Sequence, residues 1–264
     1  MGRRAQTRPA RARGAGVSVA PLRRSGAAAP ELAARIAGLD WNGIGDALDA
    51  GGNAVLPNLL TAEECASLSA VYDDAALFRS RIVMARHGFG RGEYQYFAYP
   101  LPATVAALRE HLYPRLAPIA NRWNEAMGVD ARYPQRHADF VDRCHAAGQR
   151  RPTPLLLRYG EGDYNCLHQD LYGEHVFPLQ VAILLSRPGA DFHGGEFVLT
   201  EQRPRMQSRA EVVPLAQGDG VAFAVQHRPV QGARGVYRVN LRHGVSRVRA
   251  GARHTLGVIF HDAA

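Results

Sequence analysis

From Leu155 to Phe260 the chain is a succession of short apolar runs cut at regular intervals by glycine-bearing turns. Leu155 to Tyr159 is a predicted strand, Gly160-Glu161-Gly162-Asp163 a turn, and Tyr164 to His168 the next strand. The run LQVAILLS from Leu179 to Ser186 is apolar almost throughout, as in a strand covered on both faces, and Pro188-Gly189-Ala190-Asp191 stops it. Gly194 to Leu199 begins another strand, and Gly218-Asp219 turns into Val221 to Val225. Tyr237 to His243 and Arg253 to Phe260 complete the series. Many short strands with glycine punctuation predict a mainly β fold built as a double-sheet jelly roll.

Within this frame, His168 and Asp170 stand one residue apart at the end of a predicted strand. Side-chain direction repeats every second residue in a strand, so both project to the same side. A second histidine, His243, lies far downstream, and Arg253 follows it by ten positions. Two neutral imidazoles and a carboxylate on one face of an octahedral ion hold Fe(II) and leave three adjacent positions for exchangeable ligands. The third ligand has to come from another strand, so topology sets its distance along the chain. Arg253 offers a planar fork of N–H donors matched to a carboxylate. Its residue type says little, because every basic side chain of the Lys and Arg class in this protein is arginine, and the argument rests on its position.

The segments LLLRYGEGDYNCLHQD, GGEFVL, QGDGVAF and HGVSRVRAGARHTLGVIF occur in that order and span Leu155 to Phe260. Together they resemble the double-stranded β-helix (cupin-like jelly roll) core of the Fe(II) and 2-oxoglutarate-dependent dioxygenases, most of all the prolyl-hydroxylase-like branch. The resemblance implies His168, Asp170 and His243 as iron ligands and Arg253 as the partner of the distal carboxylate of 2-oxoglutarate. Tyr159, ahead of a glycine-containing turn, resembles the family tyrosine that contacts the same cosubstrate. The implied cofactors are Fe(II), 2-oxoglutarate and O2. The implied reaction converts 2-oxoglutarate to succinate and CO2 while an unactivated C–H bond is hydroxylated, with the protein fixing ligand geometry and excluding water.

Plainer readings stand beside these. With 11 histidines in the chain, His168 and Asp170 could form an ordinary surface pair. His227 rivals His243, but it follows Val221 to Val225 almost at once and lacks the Gly-Xaa-Arg segment found at Gly251 to Arg253. Tyr159 fits a core or rim aromatic as well as it fits a ligand contact. Cys166 faces the same side as His168 and is expected to be a small buried thiol that packs. Glu196 reads as a solvated strand residue, and His254 and His261 as structural or exposed.

A length of 264 residues suits one domain of this architecture. Cys65, Cys144 and Cys166 are odd in number and widely spaced, which suits free thiols in a reducing cytoplasm. No apolar stretch approaches the length of a membrane span, and no signal-peptide apolar region follows the early arginines. A soluble, cytoplasmic protein with no membrane partner is the expectation.

The net charge of +8 is unevenly placed. Arg3, Arg4, Arg8, Arg11, Arg13, Arg23 and Arg24 stand in residues 1 to 30 with no acid among them. They supply seven of the eight charges and leave +1 for the rest. Such an Arg, Ala, Gly and Pro-rich stretch has few apolar anchors to offset its ordering entropy, so it is expected to be a disordered tail. A weak contact with nucleic acid or an acidic partner, a solvated extension and an organellar transit peptide are the three readings of it.

Residues 31 to 150 read as a helical cap with the first strands, joined to the core at 151 to 264. Asn53 to Leu56 is a predicted strand, and Thr61 with Glu64 is a capping-box signature for a helix carrying Leu68, Val71 and Tyr72. Val105, Leu108 and Leu112 form a helical face continued by Leu116, Ile119, Trp123 and Met127. Phe89 to Tyr99 is either a mobile substrate cover or a plain hairpin edge with packed aromatics. The substrate is unknown, macromolecular or small. Hydroxylation of a protein or peptide side chain is the first reading, suggested by the arginine ten residues after the distal histidine. Oxidation of a nucleobase is the second, and a non-catalytic sensor of iron and 2-oxoglutarate the third.

Overall fold

The computed structural model describes residues 28–171 and 173–264, so the arginine-rich stretch lies outside the described residues except for its last few positions. Helices α1 (Ala28–Ala37) and α2 (Trp41–Gly51) lead into strand β1 (Asn53–Leu56) and helix α3 (Ala62–Ala70). Strands β2 (Phe78–Val83), β3 (Gly90–Arg91) and β4 (Glu93–Phe97) precede helices α4 (Ala103–Ala126) and α5 (His137–Ala146). The core then runs through β5 (Leu155–Tyr159), β6 (Tyr164–His168), β7 (Leu179–Leu184), β8 (Phe192–Gly194), β9 (Phe197–Gln202) and β10 (Arg209–Val213). It ends with β11 (Gly220–Ala224), β12 (His227–Gly232), β13 (Gly235–Val245), β14 (Val248–Gly251) and β15 (Arg253–Val258).

A seven-stranded sheet in the order β1-β11-β7-β15-β5-β4-β2 faces a sheet in the order β10-β9-β13-β6-β3, with every strand pair in both antiparallel. The predicted mainly β jelly roll with flanking helices is the observed fold. Strand β7 is buried at every position but the half-buried Ala182, close to what its apolar run predicts, because the two faces meet different layers. Val181 and Ile183 pack into the cluster under the helices, where Leu108, Leu112, Leu116 and Trp123 form the buried stripe of α4. Ala182 faces the opposite way, against the group of Phe197, Val221 and Phe223 between the sheets.

Helix α4 contains Pro114 and Pro118, each lacking the amide that would extend the hydrogen-bond ladder. Residues on both sides of the prolines are fully buried, and that tertiary packing holds the helix through them. The capping box at Thr61 and Glu64 forms as expected, but α3 stops at Ala70. Val71 and Tyr72 fall in a following 3-10 turn, still buried. One expectation changes at Gly194-Gly195. Both residues have positive φ, so the predicted single strand is broken into β8, which pairs β14, and β9, which pairs β13. Within Phe89 to Tyr99, β4 lies between β2 and β5 with Tyr94 and Phe97 buried, whereas Phe89 and Tyr99 at the two ends are exposed and Phe89 lines the cavity.

Candidate metal centre and cosubstrate pocket

His168 closes β6, Asp170 follows in the next loop, and His243 sits in β13 directly opposite His168 in the antiparallel register. That pairing brings together two histidines 75 positions apart in the chain. His168 Nε2 lies 3.4 Å from one oxygen of Asp170, and His243 Nε2 lies 3.4 Å from the other. One potential ligand atom from each residue falls within 4.8 Å of the others, the group of such side chains found among the described residues. His227 is elsewhere, on β12, paired with Asn240 in register.

The neighbours of the triad fix its orientation. His168 Nδ1 is 2.8 Å from the Cys166 carbonyl, so a neutral ring donates there and turns the Nε2 lone pair toward the carboxylate. Phe223 packs on the His243 ring with centroids 4.5 Å apart. Burial by itself would raise the Asp170 pKa, but bonds and charge from His168 and His243 outweigh it and hold the carboxyl well below the usual range. His168 is raised, its burial outweighed by the Asp170 carboxylate, whereas burial pushes His243 down. An anionic carboxylate faced by two imidazole nitrogens is a donor set that suits a divalent cation.

Gln169, between the two motif residues, was passed over in the sequence. Its amide donates to Asn240 Oδ1 at 2.6 Å and to the Leu241 carbonyl at 2.7 Å, tying the loop to the strand that carries His243. Cys166 corrects an expectation. It is exposed, not buried, because β6 borders the open side of the cavity and its residues are covered only in part.

Arg253 opens β15 directly opposite Tyr159 on β5. Both side chains are fully buried, at 1% and 0% exposure. The Arg253 guanidinium donates to Thr255 Oγ1, its Nε has no partner, and no ion pair neutralises it among the described residues. Burial pushes its pKa down to about 10, so it remains a cation at neutral pH. The Tyr159 hydroxyl has Asn165 as a polar neighbour but makes no well-formed hydrogen bond among the described residues, and burial raises its pKa. Gly195 makes room for the arginine stem, since a Cβ there would come within 3.0 Å of Arg253 Cδ. Thr255 was missed in the sequence, although its i+2 spacing from Arg253 puts it on the same strand face.

A cavity of 420 Å³ joins these groups, walled by Tyr94, Phe197, Phe223 and Thr255 along with the triad, Tyr159 and Arg253. An oxygenase family model, described as catalysing oxidative methylation of damaged DNA, matches residues 92–263. The chain belongs to this family. Two uncharacterised proteins from strains of Mycobacterium tuberculosis are each 51% identical over 168 residues, covering 64% of this chain and 72% of theirs.

The solved structures similar to this oxygenase share its fold at low identity. A prolyl hydroxylase from Trichoplax adhaerens, in complex with a hypoxia inducible factor peptide, is 14% identical with a TM-score of 0.50, over 86% of this chain and 90% of its own. The non-heme α-ketoglutarate-dependent epimerase SnoN of nogalamycin biosynthesis is 15% identical with a TM-score of 0.51, over 82% and 80%. The family makes the protein an oxygenase, and the His168, Asp170 and His243 group that could hold a metal ion lies in its cavity. Among the described residues, no helix is long and apolar enough to cross a membrane.

Proposed function

We propose that the protein hydroxylates an alkyl carbon on a damaged DNA base, with His168, Asp170 and His243 holding Fe(II) and Arg253 and Tyr159 holding 2-oxoglutarate. The observation that carries the cosubstrate site is a buried guanidinium with no counter-ion among the described residues, on the wall of the cavity that contains the triad. An unpaired buried charge is costly, and a ligand carboxylate entering as its partner offsets that cost. The adjacent Tyr159 hydroxyl would donate to the same carboxylate, and Thr255 fixes the guanidinium plane from behind.

Bound iron and 2-oxoglutarate supply the oxidation, in which O2 is consumed and succinate, CO2 and the hydroxylated carbon are formed. The chain's own residues orient and shield. Gln169 anchors the ligand loop, Phe223 packs on one face of the His243 ring, and Tyr94 and Phe197 keep the walls apolar. On an N-methyl group, hydroxylation gives a carbinolamine whose C–N bond breaks with transfer of the hydroxyl proton to nitrogen, releasing formaldehyde.

The family description supports the DNA base as the substrate, as does a cavity with aromatic walls for a planar ring. Hydroxylation of a protein or peptide side chain becomes the second reading, favoured by the ten-residue spacing of His243 and Arg253. A contact of the arginine-rich tail with nucleic acid concerns residues outside those described. Anaerobic addition of Fe(II) and then 2-oxoglutarate should produce the weak visible charge-transfer band of the chelate. Succinate release, followed with methylated oligonucleotides and with peptide pools, then separates the substrates. Stimulation by peptides alone would reverse the choice.

A further inference from the structure

Strand β7 reads LQVAIL, and Gln180 is its single polar residue. The side chain is buried at 4% exposure, and its Nε2 has no hydrogen-bond partner. Strand alternation puts Gln180 on the face of Ala182, which packs between the sheets, and away from Val181, which packs under the helices. The residue accordingly lines the cavity that holds the triad. A buried amide donor left unpaired costs roughly as much as a lost hydrogen bond, and packing alone would be served as well by leucine at this position.

The register separates Gln180 from the cosubstrate end. Val181 pairs with Val258 and Leu184 with Thr255, so Gln180 lies level with residue 259, six positions along the sheet from Arg253. At about 3.3 Å per residue this is on the order of 20 Å between the two backbone positions, with the Arg253 side chain, hydrogen-bonded to Thr255, spanning the first part of it. On the neighbouring strand Gln180 is paired with Phe223, the ring that packs on His243. The amide therefore lies on the Phe223 and His243 side of the cavity, at the other end of the strand from Arg253.

We propose that Gln180 is a specificity-determining residue whose carboxamide N–H donates to an acceptor, a ring nitrogen or carbonyl oxygen, on the edge of the base that enters the cavity. The inference rests on the nucleobase reading of the site. It adds which protein atom reads the base and which bases are accepted. A ring without an acceptor at that edge would leave the buried donor unpaired, and rejection by an unmet polar group is far stronger than rejection by shape.

The test is a chemical double-mutant cycle. Oligonucleotides carry one methylated base with each acceptor in turn replaced by carbon, and the enzymes are wild type, Gln180→Leu and Gln180→Glu. Removing the acceptor that is read should lower kcat/KM of the wild type roughly 10- to 100-fold. Gln180→Leu should show a similar loss on the intact base and almost no further loss on the altered one. The nearly isosteric Gln180→Glu, which when ionised keeps an acceptor but has no donor, should behave likewise and serves if the leucine variant does not fold. Titration of 2-oxoglutarate into the Co(II)-loaded variants reports whether the cosubstrate end is intact, and wild-type affinity is expected there. Equal losses across the series in wild type and variants would overturn the role of Gln180 and leave the DNA reading standing. Turnover of peptides but of no oligonucleotide would overturn the DNA reading itself, and this inference with it.

Discussion

Arg253 sets stability against function within one side chain. Without a dicarboxylate it is a buried cation with no ion pair among the described residues, so replacing it by methionine removes a desolvated charge and should raise the melting temperature of the metal-free, cosubstrate-free protein. The same change removes a charge-assisted fork worth about 1.5–3 kcal/mol, which weakens 2-oxoglutarate binding roughly ten- to a hundredfold. Calorimetry on the two proteins with and without 2-oxoglutarate checks both signs. A variant that melts lower and binds the diacid as well as wild type would remove the assignment. The sequence made Arg253 and Tyr159 visible separately, but their pairing is a cross-strand fact. Thr255, Gln169 and Gln180 stayed hidden for the same reason. Each is defined by what the register places opposite it, and a polar residue inside an apolar run carries no mark of which layer it faces.

Elements deliver these residues, and two of them are joined by Gln169. Its bonds to Asn240 and the Leu241 carbonyl tie the ligand loop to β13, so Gln169→Ala should lower metal affinity about 10- to 100-fold while the β circular-dichroism signal is kept. Unchanged Co(II) affinity would show that β6 and β13 hold the geometry without it. The capping box of α3 gives a separate check, since Thr61→Ala should cost about 1 kcal/mol in urea unfolding without altering metal binding. Short-range chemistry explains which elements could be read in advance. The strands Asn53–Leu56, Leu155–Tyr159 and Tyr164–His168 have the predicted limits, because glycine or proline bounds the first two at both ends and the Gly162-Asp163 turn starts the third. The split between β8 and β9 could not be read, because two positive-φ glycines serve a tight turn and a sheet change alike, and only the partners β14 and β13 distinguish these.

At the scale of the whole molecule, the end of the chain locks the helical layer onto the large sheet. Asp262 is fully buried and pairs with Arg109 of α4 at 2.9 Å, with His145 of α5 and the Tyr99 hydroxyl on its other oxygen. His137 Nε2 donates to the Phe260 carbonyl at 2.8 Å, and His261 Nδ1 accepts from the Phe177 amide. Burial first, and the Arg109 charge second, push both histidines down to about 4 from an ordinary 6.5. Below pH 6.5 the unfolded chain takes up protons that these two native rings refuse until about pH 4, so stability must fall as the pH drops through that window. Asp262 extends the loss to lower pH. Burial alone would raise its pKa, but Arg109 and its other partners hold it below the ordinary carboxylate value, so its contribution is present above that value and fades as it protonates. Replacing His261 by glutamine keeps an acceptor for the Phe177 amide and removes one titration. Urea midpoints measured in chelator from pH 7 to pH 4 should then fall less steeply in His261→Gln than in wild type, by at most about 1.4 kcal/mol per pH unit. The difference in slope reports the His261 titration, and parallel curves would assign the acid sensitivity to other groups.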